Sequence, residues 1–337
     1  MAPLSESERR ATRDFLRSHQ DESGFLPWVP DGHGDPWNHV EAAMALTVLG
    51  DVEGAARAYD WLRAHQLGEG AWFNYYRSGT VENSRLDTNV SAYVAVGVLH
   101  FAAATQEWDE VSRWWPMVER ALDFAVSLRR GDGTVSWSLD ARGRRESGAL
   151  VTGCSSVLHS LECGLVLARR RGERRERWEN AAKELRRALR DPATKFLSKT
   201  HSMDWYYPVL VGAIDEEEGR EHLRRGESRF VIEGEGVRCV STSDWVTAAE
   251  TAECALAFAL VGEVDVASRR LEETRRHRRD DGSYLTGLVE PGPVSFPRGE
   301  CTTYSAAAVV LADDALRPDS SVLQCFRPAL REAFEDA

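Results

Sequence analysis

His65-Gln66-Leu67-Gly68-Glu69-Gly70-Ala71-Trp72 ends a charged, helix-like stretch, turns on glycine and leads through an aromatic residue into a segment of small apolar residues. The same succession returns at His19-Gln20-Asp21-Glu22-Ser23-Gly24 with Trp28, at Arg129-Arg130-Gly131-Asp132-Gly133 with Trp137, and at Arg279-Asp280-Asp281-Gly282-Ser283-Tyr284. A mark that recurs at about 45 to 65 residues signals a repeated supersecondary unit that cannot bury its apolar face alone. Two further marks are degenerate, around Asp191-Pro192 and Gly234-Glu235-Gly236, and there the repeat rests on the flanking helices.

Upstream of each mark lies an amphipathic stretch: 7–19, 52–65, 109–128, 174–189, 216–225 and 264–277 carry apolar residues at three-to-four spacing among Arg and Glu. Downstream lie 37–49, 88–104, 155–168, 205–214, 246–261 and 302–312, rich in Ala, Val, Leu and Gly and nearly free of charge beyond their first turns. A helix apolar on every side must be buried on every side. Six exposed and six buried helices in alternation predict an all-α (α/α)6 toroid, or barrel, with six outer helices around six inner ones. An open solenoid of TPR type, with units of about 34 residues, is too short for this spacing. The expected domain is a single toroid over 1–337, with residues from about 316 onward as a C-terminal tail.

Composition narrows the partners. A formal charge of −12 and a pI near 5.3 disfavour nucleic acid and anionic membrane surfaces, which reward clustered positive charge. The N-terminus Met1-Ala2-Pro3-Leu4-Ser5-Glu6-Ser7-Glu8 has no basic, apolar signal pattern, and no continuously apolar run suggests a membrane span, so a cytoplasmic protein is expected. Six cysteines without C-x-x-C spacing read as reduced core residues. No pattern sets an oligomeric state.

In a double ring the loops entering the inner helices converge on one mouth. Those entries read Asp35-Pro36-Trp37-Asn38-His39-Val40-Glu41, Arg85-Leu86-Asp87-Thr88-Asn89, Thr152-Gly153-Cys154, Met203-Asp204-Trp205-Tyr206-Tyr207, Ser243-Asp244-Trp245 with Glu250 and Glu253, and Glu300-Cys301-Thr302-Thr303-Tyr304. Helix capping accounts for about half of their Asp, Ser and Thr. It does not account for the aromatics and second polar residues beside the caps, which are costly to bury without a wet cavity. The candidate acids and bases are therefore Asp35, Asp87, Asp204 and Glu250. The candidate substrate contacts are Trp37, His39, Glu41, Trp72, Tyr75, Asn89, Trp205, Tyr206, Tyr207, Asp244, Trp245 and Tyr304. His33, Asp35, His39 and Glu41 lack metal-ligand spacing, and no H-E-x-x-H, G-x-S-x-G, P-loop or G-x-G-x-x-G motif occurs, so neither a metal nor a cofactor is expected.

The glycine–aromatic marks resemble the repeat of the protein prenyltransferase and squalene or terpenoid cyclase superfamily, an α/α toroid. The chain also looks like bacterial proteins labelled "prenyltransferase" on that repeat. The resemblance implies an isoprenoid substrate, with Asp87 or Asp204 as the acid and Trp37, Trp72, Trp205, Tyr206, Tyr207 and Trp245 stabilising positive charge through their π faces. Two signatures are missing. There is no D-x-D-D, Leu86-Asp87-Thr88-Asn89 being the nearest string, and no zinc-binding Asp-x-Cys. The hydroxyl-rich mouth equally suits a carbohydrate-active (α/α)6 enzyme (glycoside hydrolase, lyase or epimerase), with two of Asp35, Asp87, Asp204 and Glu250 as paired carboxylates. A non-catalytic ligand-binding toroid is the third reading.

Overall fold

The computed structural model describes residues 4–328; the remainder of the expected tail, 329–337, lies outside the described residues. Fourteen helices follow in chain order. They are α1 Glu6–His19, α2 Pro36–Val48, α3 Val52–His65, α4 Thr88–Ala92, α5 Val94–Thr105, α6 Trp108–Ser127, α7 Val151–Arg170, α8 Glu176–Arg190, α9 Met203–Leu210, α10 Glu216–Phe230, α11 Ala248–Leu260, α12 Val264–Glu273, α13 Thr303–Ala315 and α14 Ser321–Phe326.

The inner helices form a closed circuit. Helix α2 packs on α5, α5 on α7, α7 on α9, α9 on α11, α11 on α13, and α13 again on α2. Outside them stand α1, α3, α6, α8, α10 and α12, so the architecture is the (α/α)6 toroid that the alternation predicts. The burial contrast follows from composition. Helix α1 buries only Thr12 and Leu16, whereas α2 buries ten of its thirteen residues. Two inner stretches, Thr88–Thr105 and Val151–Arg170, match a membrane span in length and hydropathy, yet 89% and 78% of their most apolar windows lie inside the molecule. One apolar cluster runs through both rings from Leu4 to Phe326.

The glycine marks turn out to be contact points between neighbouring outer helices. Gly70 has φ +91°, and a Cβ there would stand 2.3 Å from the carbonyl oxygen of Arg120 on α6. Gly282 has φ +86°, and a Cβ would fall 2.3 Å from the main chain of Ala11 on α1. Only glycine satisfies both demands. Gln66 reinforces the first junction, its Nε2 donating to the carbonyls of Gly70 and Met117. Gln20 does the same across Gly24 and Gly54.

The seam between first and last units is polar. Asp313 of α13, fully buried, accepts from Leu4 N at 2.6 Å, Arg9 Nη1 at 2.7 Å and Arg317 Nε at 2.9 Å.

Several boundaries differ from the sequence expectation for local reasons. The stretch 88–104 breaks at Tyr93 into α4 and α5. Helix α9 stops at Leu210, after an internal Pro208 and before Gly212. Residues 246–247 are strand, and 274–277 are a 3-10 turn closing α12. Ten short strands decorate the connections: β1 His33–Gly34, β2 Tyr75–Arg77, β3 Thr80–Asn83, β4 Leu86–Asp87, β5 Ser138–Leu139, β6 Val231–Ile232, β7 Gly236–Val237, β8 Trp245–Thr247, β9 Gly287–Val289 and β10 Val294–Ser295. Nearly all precede inner helices, so they build the rim of the mouth. In the expected tail, α14 packs against α5 and α13.

Candidate active site

Two helix starts bring the central acids together. Asp35 is the N-cap of α2; its Oδ1 accepts from Asn38 N at 3.0 Å, and its Oδ2 from Trp28 Nε1 at 2.9 Å and Asn38 Nδ2 at 2.7 Å. Asp87 is the N-cap of α4, and both of its bonds, from Asn89 N at 2.9 Å and Val90 N at 3.1 Å, fall on Oδ1. Its register is set by β4 pairing with β5, Asp87 opposite Ser138, and by Thr88 Oγ1 donating to Ser136 O at 2.6 Å. Asp204 lies in the first turn of α9 and accepts on Oδ1 from Thr152 N at 3.2 Å and Thr152 Oγ1 at 2.7 Å. It thus caps the neighbouring helix α7, whose own N-cap, Leu150, offers no side-chain bond.

All three aspartates line a cavity of about 440 Å³. Its aromatic surfaces are Trp28, Trp37, Tyr75 and Trp137, and its polar groups include Asn38, Asn74, Asn89, Thr152, Lys199 and His201. The aromatics are braced: Trp28 meets Tyr75 and Tyr304 edge-on, and the Arg85 guanidinium sits 4.6 Å over Trp137 while pairing with Glu146 at 2.8 Å. Val90, Val135, Leu150, Cys154 and Met203 supply an apolar stretch of wall.

Burial disfavours the charged form of both capping acids. It pushes Asp87 up to about 6, against its two main-chain donors and with Asp35 adding repulsion. Asp35 is also raised, burial outweighing its donors from Asn38, Trp28 and the Trp37 main chain. Tyr75, facing both acids, is pushed up to about 12, chiefly by burial and then by Asp35 and Asp87. The two carboxyls therefore share one electrostatic environment, yet Asp35 is held by more donors than Asp87, which keeps Oδ2 for the cavity.

The other sequence candidates disperse. Asn89, Trp37 and Tyr75 line the cavity; Tyr304 reaches it only through Trp28. His39 is fully buried, with Nδ1 accepting from Leu26 N and Nε2 donating to Ala58 O, and burial lowers its pKa to about 4. It is a neutral core histidine. Trp72 gives its Nε1 to Leu62 O within the core. Trp205 stacks on Phe230 and bonds His222 O, between the rings. Asp244 pairs with Arg238, and Trp245 packs on Phe296 and bonds its carbonyl, both on the rim.

A second acidic group lies along the barrel axis. Glu41 accepts from Tyr93 Oη at 3.3 Å, Glu253 accepts from Tyr206 Oη, and Tyr207 packs edge-on against Trp37. Glu250 accepts from Thr247 Oγ1. Burial pushes Glu41 up to about 8 and raises Glu253 well above its usual range.

Lys199 and His201 are cavity residues that sequence reasoning passed over altogether, and Trp28, Asn38, Asn74 and Trp137 also line the cavity without having been named as candidates. Lys199 and His201 stand on the irregular connection between α8 and α9, where no periodicity points anywhere. One signal was present: Lys199 is one of three lysines in a chain with 39 arginines.

No protein-family model matches the chain. Over 314 residues it is 41% identical to the MMP endo-(1,4)-3-O-methyl-alpha-D-mannosidase of Mycolicibacterium hassiacum, covering 93% of this chain and 87% of that protein. Among solved structures it overlays a wild-type glycosidase with TM-score 0.74 at 16% identity, over 92% of this chain and 96% of the other. It overlays a D-mannose isomerase with TM-score 0.65 at 10% identity, over 91% and 96%. These likenesses support the fold. The relative, identical at two residues in five across almost the whole chain, overturns the resemblance to terpenoid cyclases and prenyltransferases. The glycine marks they share report helix-pair packing, which is common to toroids of different chemistry.

Proposed function

The chain belongs to the family of the MMP endo-(1,4)-3-O-methyl-alpha-D-mannosidase and is a carbohydrate-active (α/α)6 enzyme, and from that membership we infer that it hydrolyses α-mannosidic bonds within a 3-O-methylated mannan chain. The observation that carries the mechanism is the unequal pair of buried carboxyls at the cavity, Asp35 held by several donors and Asp87 by two on one oxygen.

Glycoside hydrolysis uses two carboxyl groups in opposite protonation states. When Asp35 is ionised, its charge adds to the burial that keeps a proton on Asp87. Asp87 then donates that proton from Oδ2 to the glycosidic oxygen as the anomeric C–O bond breaks. Asp35 takes the opposite role, as the base that activates water or as the nucleophile on the anomeric carbon, and the anomer of the product distinguishes the two. Trp28, Trp37, Tyr75 and Trp137 offer faces to the sugar rings, and Asn38, Asn74 and Asn89 can meet their hydroxyls. The apolar wall of Val90, Val135, Leu150 and Met203 suits a methyl ether, which a wholly polar site would desolvate to no benefit.

The test is digestion of 3-O-methylmannose and unmethylated mannose oligosaccharides, followed by mass spectrometry. Internal cleavage of the methylated chain is expected, with Asp87→Asn and Asp35→Asn each lowering the rate by about 10²–10⁴. Undiminished cleavage by either folded variant would remove that residue from the mechanism, and failure to cut any mannoside would remove the substrate.

A further inference from the structure

The hydrolytic chemistry leaves unused a cluster at the middle of α7, where α14 folds against the inner ring. His159 and Cys163 stand four residues apart on α7 and so share one face, and Cys325 comes from α14. All three are fully buried, and a ring nitrogen of the histidine and the two sulfurs lie within 4.8 Å of one another.

The histidine is set up for coordination. Its Nε2 meets the Cys325 carbonyl oxygen at 3.3 Å, whereas its Nδ1 is buried with no hydrogen-bond partner. A ligating histidine commonly donates one ring N–H to a main-chain carbonyl, which fixes the tautomer and turns the other lone pair to the metal. His39 in this same chain is satisfied on both sides, while His100 and His277 also keep an unpaired buried ring nitrogen; what sets His159 apart is the pair of thiols beside it. Phe326, tilted 4.5 Å from the His159 ring, screens it.

We propose that His159, Cys163 and Cys325 bind a thiophilic d¹⁰ cation, Zn²⁺ or Cu⁺, that fastens α14 to the inner ring. Two sulfurs and one nitrogen, with no carboxylate in the cluster, suit these ions and are poor ligands for Mg²⁺ or Ca²⁺. Metal–sulfur bonds of about 2.3 Å, at the ~120° of a three-donor site, place the thiolates roughly 4.0 Å apart, within reach of the observed spacing by a small inward shift. Binding releases both thiol protons; the two thiolates neutralise Zn²⁺, so a zinc-loaded site adds no net charge to the apolar interior, whereas a Cu⁺-loaded one keeps a single negative charge. This site is structural and independent of the hydrolytic assignment.

The test uses the full-length protein, produced under reducing conditions with zinc or copper in the medium. Gel filtration and elemental analysis are expected to find about one metal ion per chain, and its identity separates the two cations. Refolding with Co²⁺ is expected to give thiolate-to-cobalt charge-transfer absorption and strong visible bands, both lost in the Cys163→Ser/Cys325→Ser variant. Should the serine variant fail to fold, the wild-type stoichiometry and cobalt spectrum decide alone. Wild-type protein with less than about a tenth of an equivalent after refolding with each ion overturns the proposal. So do cobalt bands that survive the double serine change, and so does an unreduced protein two hydrogens lighter, with Cys163 joined to Cys325.

Discussion

Asp87 is a helix cap and, in the mechanism we propose, the cavity's proton donor, and the two roles pull its carboxyl in opposite directions. Its main-chain donors favour the anion; burial and Asp35 favour the acid and prevail, at about 6. A general acid is active while protonated, so kcat/KM is expected to fall as pH rises through about 6. A pH–rate profile with no limb there would assign the proton to another group. Glu41 bears on stability instead. Its pKa in the fold, about 8, lies above the ordinary 4.5, so its contribution is complete below pH 4.5 and is lost as pH rises toward 8. His39, His100 and His277, lowered by burial to about 4, act the other way: their contribution is complete above pH 6.5 and is lost as pH falls toward 4. The trends oppose each other at mildly acid pH, and the carboxyl dominates above 6.5. Glu41→Gln is therefore expected to flatten the loss of stability that wild type shows as pH rises from 6.5 to 8.5, measured by urea unfolding. Parallel curves for the two proteins would show that Glu41 is not the group responsible.

At the scale of elements, the glycine marks were the legible part. Each one predicts a helix end, and the structure adds that Gly24, Gly70, Gly133 and Gly282 all have positive φ and abut the next outer helix. Gly70→Ala is expected to cost about 2–3 kcal/mol, combining left-handed strain with displacement of the Arg120 carbonyl. Gly68→Ala, where a Cβ meets open space, is the control, and equal melting temperatures for the two would refute the junction role. The aspartates that cap inner helices were legible too, because capping fixes a residue's place at the mouth whatever its further role. The aromatics were not. Successive helical residues point about 100° apart, so Trp205, Tyr206 and Tyr207 look respectively toward Phe230, Glu253 and Trp37. For the same reason Asn38 faces the cavity while His39 turns into the core. Composition shows that such residues gather at an inner-helix entry; only the helix phase shows which of them meet.

The molecule as a whole depends on its seam. Asp313 is fully buried and ion-paired to Arg9 and Arg317, whose side chains are 13% and 26% exposed. Removing its charge leaves guanidinium groups poorly paired, and Asp313→Asn is expected to cost about 3 kcal/mol, seen as a lower urea midpoint at unchanged slope. A midpoint within experimental scatter of wild type would mean that packing alone closes the ring. Arg9 and Asp313 are 304 residues apart in the chain. Chains emerge from the ribosome at about 5–20 residues per second, so α1 waits roughly 15–60 s after its own synthesis for the residue that secures it. During that interval the leading helix has been made and the circuit cannot close. The seam thus sets a clock as well as a shape: the circuit around the cavity closes only when α13, the last inner helix, has left the ribosome.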